Sequence, residues 1–170
     1  MEFSELLTTR RSTRAFTDHK LTRDEIDRLL NAATRAPSAC NMQSWHFYAV
    51  TDPNVRAKFS ENGICAPWAA TAPVMFVVCT DGDAIISRFG ERAKTFIIQD
   101  TALAAENLLL EAADMGYNGC FMGAFDADNC RALLDIPEKY QIVALIPVGK
   151  ASGEVPLRER KPLSEVVTYI

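Results

Sequence analysis

Residues 10–16 read Arg-Arg-Ser-Thr-Arg-Ala-Phe, and residues 36–47 read Ala-Pro-Ser-Ala-Cys-Asn-Met-Gln-Ser-Trp-His-Phe. The first stretch concentrates Arg10, Arg11 and Arg14 around Ser12 in a chain whose formal net charge is −4. Forked guanidinium donors match the oxygens of a phosphate, and a serine hydroxyl adds one more bond. A charge run is also consistent with a solvated turn whose arginines pair with acids. In the second stretch Pro37 fixes the exit from a helix. Ser38, Asn41 and Gln43 then place a hydroxyl and two amides in one short loop. Amides both donate and accept, which suits a pyrimidine-like edge or a sugar-like chain. The same residues can equally satisfy their own backbone.

Working outward, Phe3, Leu6 and Leu7 recur at helical spacing and predict a first helix over roughly Ser4 to Thr9. Thr22 followed by Glu25 reads as a capping box, and Ile26, Leu29, Leu30 and Ala33 form the apolar stripe of the helix it starts. Trp45 to Thr51 predicts a strand. Asp52-Pro53 supplies an N-cap and a first-turn proline for a short helix through Val55 and Phe59. Pro73 to Thr80 (PVMFVVCT) is a nearly unbroken apolar run, the pattern of a strand buried on both faces. About Arg92 to Met115 predicts the longest helix, apolar over most of its circumference and ended by Gly116. Strands are expected at Tyr117 to Phe125 and at Gln141 to Val148, with a short helix capped by Asp126 between them.

The 170 residues suit one domain, with the tail from about residue 150 polar and proline-punctuated. Hydrophobic residues make up 48% and charged residues 24%, which excludes a disordered or fibrous class. The acidic balance argues against bulk nucleic-acid binding and against docking on an anionic membrane. No apolar stretch reaches the length of a membrane span. Five cysteines, at 40, 65, 79, 120 and 130, contain no C-x-x-C pair, and His19 and His46 are the two histidines. A metal site therefore has little support. The N-terminus carries no signal-peptide pattern, so free thiols and a cytoplasmic location are expected. His46 reads as a packed strand residue, His19 as exposed, Trp68 as either core or a stacking face, and Cys40 as redox-sensitive or, on the blander reading, buried or simply small. Cys79 and Cys120 fall in apolar strands and should be inert. Neither G-x-G-x-x-G nor G-x-x-x-x-G-K-[ST] is present, so a bound nucleotide would need another phosphate grip.

Taken together, R-R-S-x-R-x-F followed by A-P-S-x-x-N-x-Q-x-W-x-F resembles the nitroreductase family of FMN enzymes. The later chain is similar as well: residues 100–116 (DTALAAENLLLEAADMG), residues 119–125 (GCFMGAF), residues 146–149 (IPVG) and residues 158–163 (RERKPL). The resemblance implies an α+β fold with a mainly antiparallel central sheet flanked by helices. It also implies a homodimer with FMN at the subunit interface and a C-terminal arm, here Pro156 to Ile170, exchanged between subunits. Position by position, Arg10, Arg11 and Ser12 would grip the FMN phosphate with Arg158 or Arg160. Arg14 would lie toward N1/O2 of the isoalloxazine. Pro37, Ser38, Asn41 and Gln43 would come from the second subunit, and Met122 and Gly123 would present backbone N–H groups near N5 and O4. Departures from relatives include Ser44 in place of proline, Met122 where some carry an acid, and Cys65 and Trp68 where some carry Asn and Lys.

The implied activity is hydride transfer from NAD(P)H to flavin N5. Electrons then pass, in ping-pong fashion, to a nitroaromatic, a quinone or a similar small acceptor. No acid–base side chain is required. Alternatives are a specialised flavin-dependent reductase or dehydrogenase of the same fold, and a non-catalytic FMN-binding redox module. The short Asp81-to-Glu91 connection implies an open site, or one lidded by the Gly82-to-Gly90 segment.

Overall fold

A strand that is apolar on both faces requires cover from both sides. In the computed structural model, residues 2–170 are described, Ala84 by its backbone alone, and Met1 lies outside them. The chain runs α1 (Phe3–Thr9), α2 (Arg23–Ala33), β1 (Trp45–Val50), α3 (Pro53–Glu61), α4 (Pro67–Ala70) and β2 (Val74–Asp81). It continues through α5 (Asp83–Phe89), α6 (Ala93–Asp114), β3 (Asn118–Gly119), α7 (Ala127–Leu134), β4 (Tyr140–Gly149) and α8 (Leu163–Val166). The strands form one antiparallel sheet in the order β1-β2-β4-β3.

The apolar run is β2, buried from Val74 to Thr80. Its side chains alternate between two cores, as the strand period requires. Val74, Phe76 and Val78 pack with Ile26 and Leu29 of α2 and with Ala104, Leu108 and Ala112 of α6. Met75, Val77 and Cys79 pack with Phe59 of α3, Ala69 of α4 and Cys130 of α7. Helices therefore cover both faces of the sheet. Each large apolar side chain fully buried here contributes about 1.5–3 kcal/mol.

The helix signals act as read. Thr22 accepts the Glu25 N–H and the Glu25 carboxylate accepts the Thr22 N–H, a complete capping box. Asp52 and Asp126 accept the N–H groups of Asn54 and Asn129. Gly116, at φ +77°, follows the end of α6 in the left-handed region that favours glycine. At α1 the expected stripe is mostly outside the core: Leu6 is buried, whereas Phe3 and Leu7 are exposed.

The strand expected over Tyr117 to Phe125 is shorter. Two residues, Asn118 and Gly119, pair with Gly149 and Val148. Cys120 then donates to the Pro147 carbonyl, but Pro147 has no N–H to return. The ladder is one-sided there and closes again only as an isolated Met122–Leu145 bridge. Gly119 is needed for a close approach: a Cβ would stand 2.7 Å from Leu109 Cδ2 and 3.1 Å from the Pro147 oxygen. Beyond Ala151 the tail is exposed or half-buried, and its Leu163, Val166, Tyr169 and Ile170 side chains lie on the surface.

Candidate functional site

The arginine segment after α1 is held in an extended course by backbone pairing on both sides. Ser12 forms a parallel bridge with Gly119, and the Thr13 N–H donates to the Gly119 carbonyl at 3.1 Å. Phe16 bridges Ala151, the Thr17 N–H donates to Lys150 O at 2.9 Å, and the Ser152 N–H donates to Ala15 O at 2.9 Å. This second set draws the chain leaving β4 alongside the N-terminal segment. Arg158 and Arg160 consequently line the same cleft as Arg10, Arg11, Ser12 and Arg14, a space of about 580 Å³. Five guanidiniums face a single carboxylate in that lining, Glu154.

Each of the N-terminal arginines has its own support. The Arg10 Nε lies 3.4 Å from Glu106 Oε1 on α6, with its side chain 19% exposed. Arg11 donates to the Thr8 and Arg10 carbonyls at 2.6 and 3.0 Å, a cation at the C-terminal end of α1. The Arg14 guanidinium sits 5.8 Å from the centroid of the Trp68 ring, within cation–π range. Trp68 is half-buried against the second core and carries Arg14 on its face.

The Pro37–Gln43 loop lies elsewhere in the protomer. It contains a single 3-10 turn, Ala39–Asn41, and three non-glycine residues with positive φ: Cys40 at 49°, Asn41 at 56° and Gln43 at 50°. Ser38 Oγ accepts the Gln43 N–H at 3.0 Å, and the Gln43 amide donates to Asn41 O at 3.2 Å. The Ala39 N–H is shared by both oxygens of Asp100 on α6, at 3.1 and 3.0 Å. Pro37, Ser38, Gln99, Asp100 and Leu103 border a shallow hollow of about 540 Å³. The structure thus brings Arg10, Arg11, Ser12, Arg14, Arg158 and Arg160 together and keeps Pro37, Ser38, Asn41 and Gln43 apart from them within one protomer.

Met122 and Gly123 divide. The Met122 N–H donates to Leu145 O at 2.9 Å, and the Met122 carbonyl accepts the Leu145 N–H at 3.0 Å. The donor expected from Met122 is therefore consumed by the sheet. Gly123 is exposed, with nothing within 4 Å of where a Cβ would stand, and keeps its approach open. Residues 83–89 form α5, whose buried Ile85 packs with Ala93 and Ile97 and against Met42; they do not line the arginine cleft.

The remaining titratable groups have structural roles. His46 is exposed and stacks on Tyr140 with centroids 4.5 Å apart. His19 is exposed, its Nε2 3.2 Å from the Tyr117 hydroxyl. That hydroxyl donates to Glu25 at 2.6 Å and, with the capping bonds from Thr22, holds the Glu25 carboxyl down at about 2. Burial first, and the bond to Glu25 second, push the Tyr117 phenol up to about 12. Burial likewise pushes the thiols of Cys79 and Cys130 up to about 12 and raises that of Cys120. Of the readings open for Cys40, burial is excluded: it is exposed, in a turn of left-handed backbone. Sequence reasoning missed Glu154, Glu106 and Asp100. A lone acid on an otherwise apolar helix face was the available signal for Asp100.

The family model described as the nitroreductase family matches residues 7–62 and 60–150. An Archaeoglobus fulgidus protein, provisionally named an NADH dehydrogenase/NAD(P)H nitroreductase, is 31% identical over 157 residues, covering 90% of this chain and 87% of its own. The FMN reductase (NADPH) of Bacillus subtilis is 28% identical over 183 residues, covering 97% of this chain and 73% of its own. A solved structure from Exiguobacterium sibiricum, provisionally described as a nitroreductase and in complex with FMN, has a TM-score of 0.88 over 100% of this chain and 98% of that one. At 22% identity that likeness concerns the fold.

Proposed function

The chain belongs to the nitroreductase family, and on that premise we propose that it is an FMN-dependent oxidoreductase acting between NAD(P)H and a small acceptor such as a nitroaromatic or quinone. The observation that carries the reading is the arginine cleft, in which the N-terminal segment and the distant tail converge in an acidic chain. The donor set fits FMN. A phosphate dianion needs forked donors and a hydroxyl, and Arg10, Arg11, Ser12, Arg158 and Arg160 supply both. Arg14, held over Trp68, adds a fixed cation to the same site and favours whichever state of a bound group is more negative. Bound FMN would supply the redox chemistry, taking hydride from NAD(P)H and passing electrons in alternation to the acceptor. The protein's part is binding, orientation and charge.

The site reads as completed by a second copy. On α6, Glu106 pairs with Arg10 beside the cleft, while Asp100 holds the Pro37–Gln43 loop. Leu103, 46% exposed, stands three residues from each. A two-fold axis near Leu103 would bring the loop of each protomer to its partner's cleft, so that Pro37, Ser38, Asn41 and Gln43 meet the flavin held there. β1 is an edge of the sheet, and beside it Leu21, Ile26, Leu30, Phe47 and Ala49 border a hollow of about 450 Å³. The exposed Val166, Val167, Tyr169 and Ile170 of the partner's arm suit such an edge. In this reading residues 1–170 are one FMN-binding domain, with about 150–170 as its arm.

The test is the visible spectrum of the purified protein, followed by reduction with NADH and with NADPH and reoxidation by a quinone. A yellow protein that turns over is expected. Colourless protein that ignores added FMN would refute the reading.

A further inference from the structure

Among the described residues Asp100 is the one carboxylate in the buried class, 5% exposed between the buried Ile97 and Ala104 on α6. Desolvating a carboxylate is costly unless something compensates. No described cation lies within ion-pair distance of Asp100. Its partner is the backbone N–H of Ala39, which both oxygens share at 3.1 and 3.0 Å. That N–H opens the turn in which Cys40, Asn41 and Gln43 adopt positive φ, a conformation that works against a side chain at each position.

The other bonds that shape the turn begin and end inside it. The Asn41 N–H donates to Ser38 O, the Met42 N–H to Ala39 O, and the Gln43 N–H to Ser38 Oγ. Among the described residues Asp100 supplies the hydrogen bond that ties this turn to a rigid element, the 22-residue helix at the centre of the fold, beside the apolar packing of Met42 against the cluster of Ile85, Ala93 and Ile97. We infer that Asp100 is a positioning residue for the flavin: through Ala39 it fixes the turn that presents Ser38, Asn41 and Gln43 to the cofactor. This inference rests on the FMN reading above and adds to it a residue that touches no flavin. A buried charge aimed at one backbone donor sets a geometry more narrowly than a neutral contact would.

The experiment titrates FMN and riboflavin, by quenching of flavin fluorescence, into full-length wild type and the variants Asp100→Ala, Asp100→Asn and Ala39→Pro. Riboflavin lacks the phosphate, so it reports on the turn without the phosphate grip of Arg10, Arg11, Ser12, Arg158 and Arg160. Asp100→Ala should weaken both flavins by the same factor, about tenfold to a hundredfold for a charge-assisted bond, and should shift the absorption spectrum of bound FMN. Asp100→Asn keeps an acceptor oxygen and should restore binding to within a fewfold of wild type. Ala39→Pro deletes the N–H from the other side and should reproduce the loss. Ser38 tolerates it, because φ −142° and ψ 159° suit a residue before proline. If Asp100→Ala does not fold, Ala39→Pro and Asp100→Asn decide the matter between them. Wild-type-like affinity and spectrum in Asp100→Ala or Ala39→Pro, or a loss confined to FMN, would overturn the role of Asp100 and leave the cofactor reading standing. A wild type that holds neither flavin would overturn both.

Discussion

On the two-fold axis proposed above, Leu103→Asp should separate the protomers and release the flavin without unfolding the chain. Leu103 is 46% exposed on the outer face of α6, so neither core needs it. Full burial of a leucine is worth about 1.5–3 kcal/mol, so covering the exposed half contributes about 1 kcal/mol per protomer and about 2 per dimer. Aspartate forfeits that contribution. It also places two carboxylates in a desolvated interface, at an effective cost of several kcal/mol for each ion. The total is at least about 5 kcal/mol, a rise in the dimer dissociation constant of more than a thousandfold. Leu103→Ala, which loses only the apolar term, should raise it about thirtyfold. Sedimentation velocity over a dilution series gives the mass, and the visible absorbance of the flavin shows which species holds the cofactor. A Leu103→Asp protein that stayed dimeric and yellow would refute the placement of the axis.

Two further outcomes follow from local geometry. The Glu25 carboxyl lies at about 2, below its ordinary 4.5, because the Tyr117 hydroxyl and the capping bonds favour its charged form. Wild type should therefore exceed Glu25→Gln in stability above about 4.5, and the gap should close as the pH falls through about 2. Urea unfolding across that range would contradict the network if the gap stayed constant. Gly119→Ala should cost about 1–3 kcal/mol by overpacking Leu109 and the β4 backbone. Gly123→Ala, with open space around it, should be neutral in the same unfolding assay; equal losses would show that crowding is not the cause.

How much was legible from residues depended on how local the deciding physics was. The capping box at Thr22 and Glu25, the caps at Asp52 and Asp126, and the apolar run of β2 are written within a few residues each, and all stand where they were read. The stretch after Gly116 was misread because its fate depends on a residue 27 positions later than Cys120: Pro147 of β4 lacks the N–H that a longer ladder needs. The same pairing claims the Met122 N–H, which no inspection of residues 119–125 could reveal. In the site, the arginines were visible as charge against an acidic background. Their meeting with the tail rests on the Phe16–Ala151 and Thr17–Lys150 pairing, which only the fold supplies. Asp100 looked like one more helix residue until its burial and its aim at Ala39 were known. Burial was one of the readings open for Cys40, whereas it is exposed in a turn of left-handed backbone.

The central claim is that guanidiniums far apart in sequence close on one phosphate. The most direct measurement compares FMN and riboflavin affinities in wild type, Arg158→Ala and Arg160→Ala. Removing either tail arginine should weaken FMN about tenfold and leave riboflavin unchanged. Equal losses for both flavins, or none for FMN, would contradict the account.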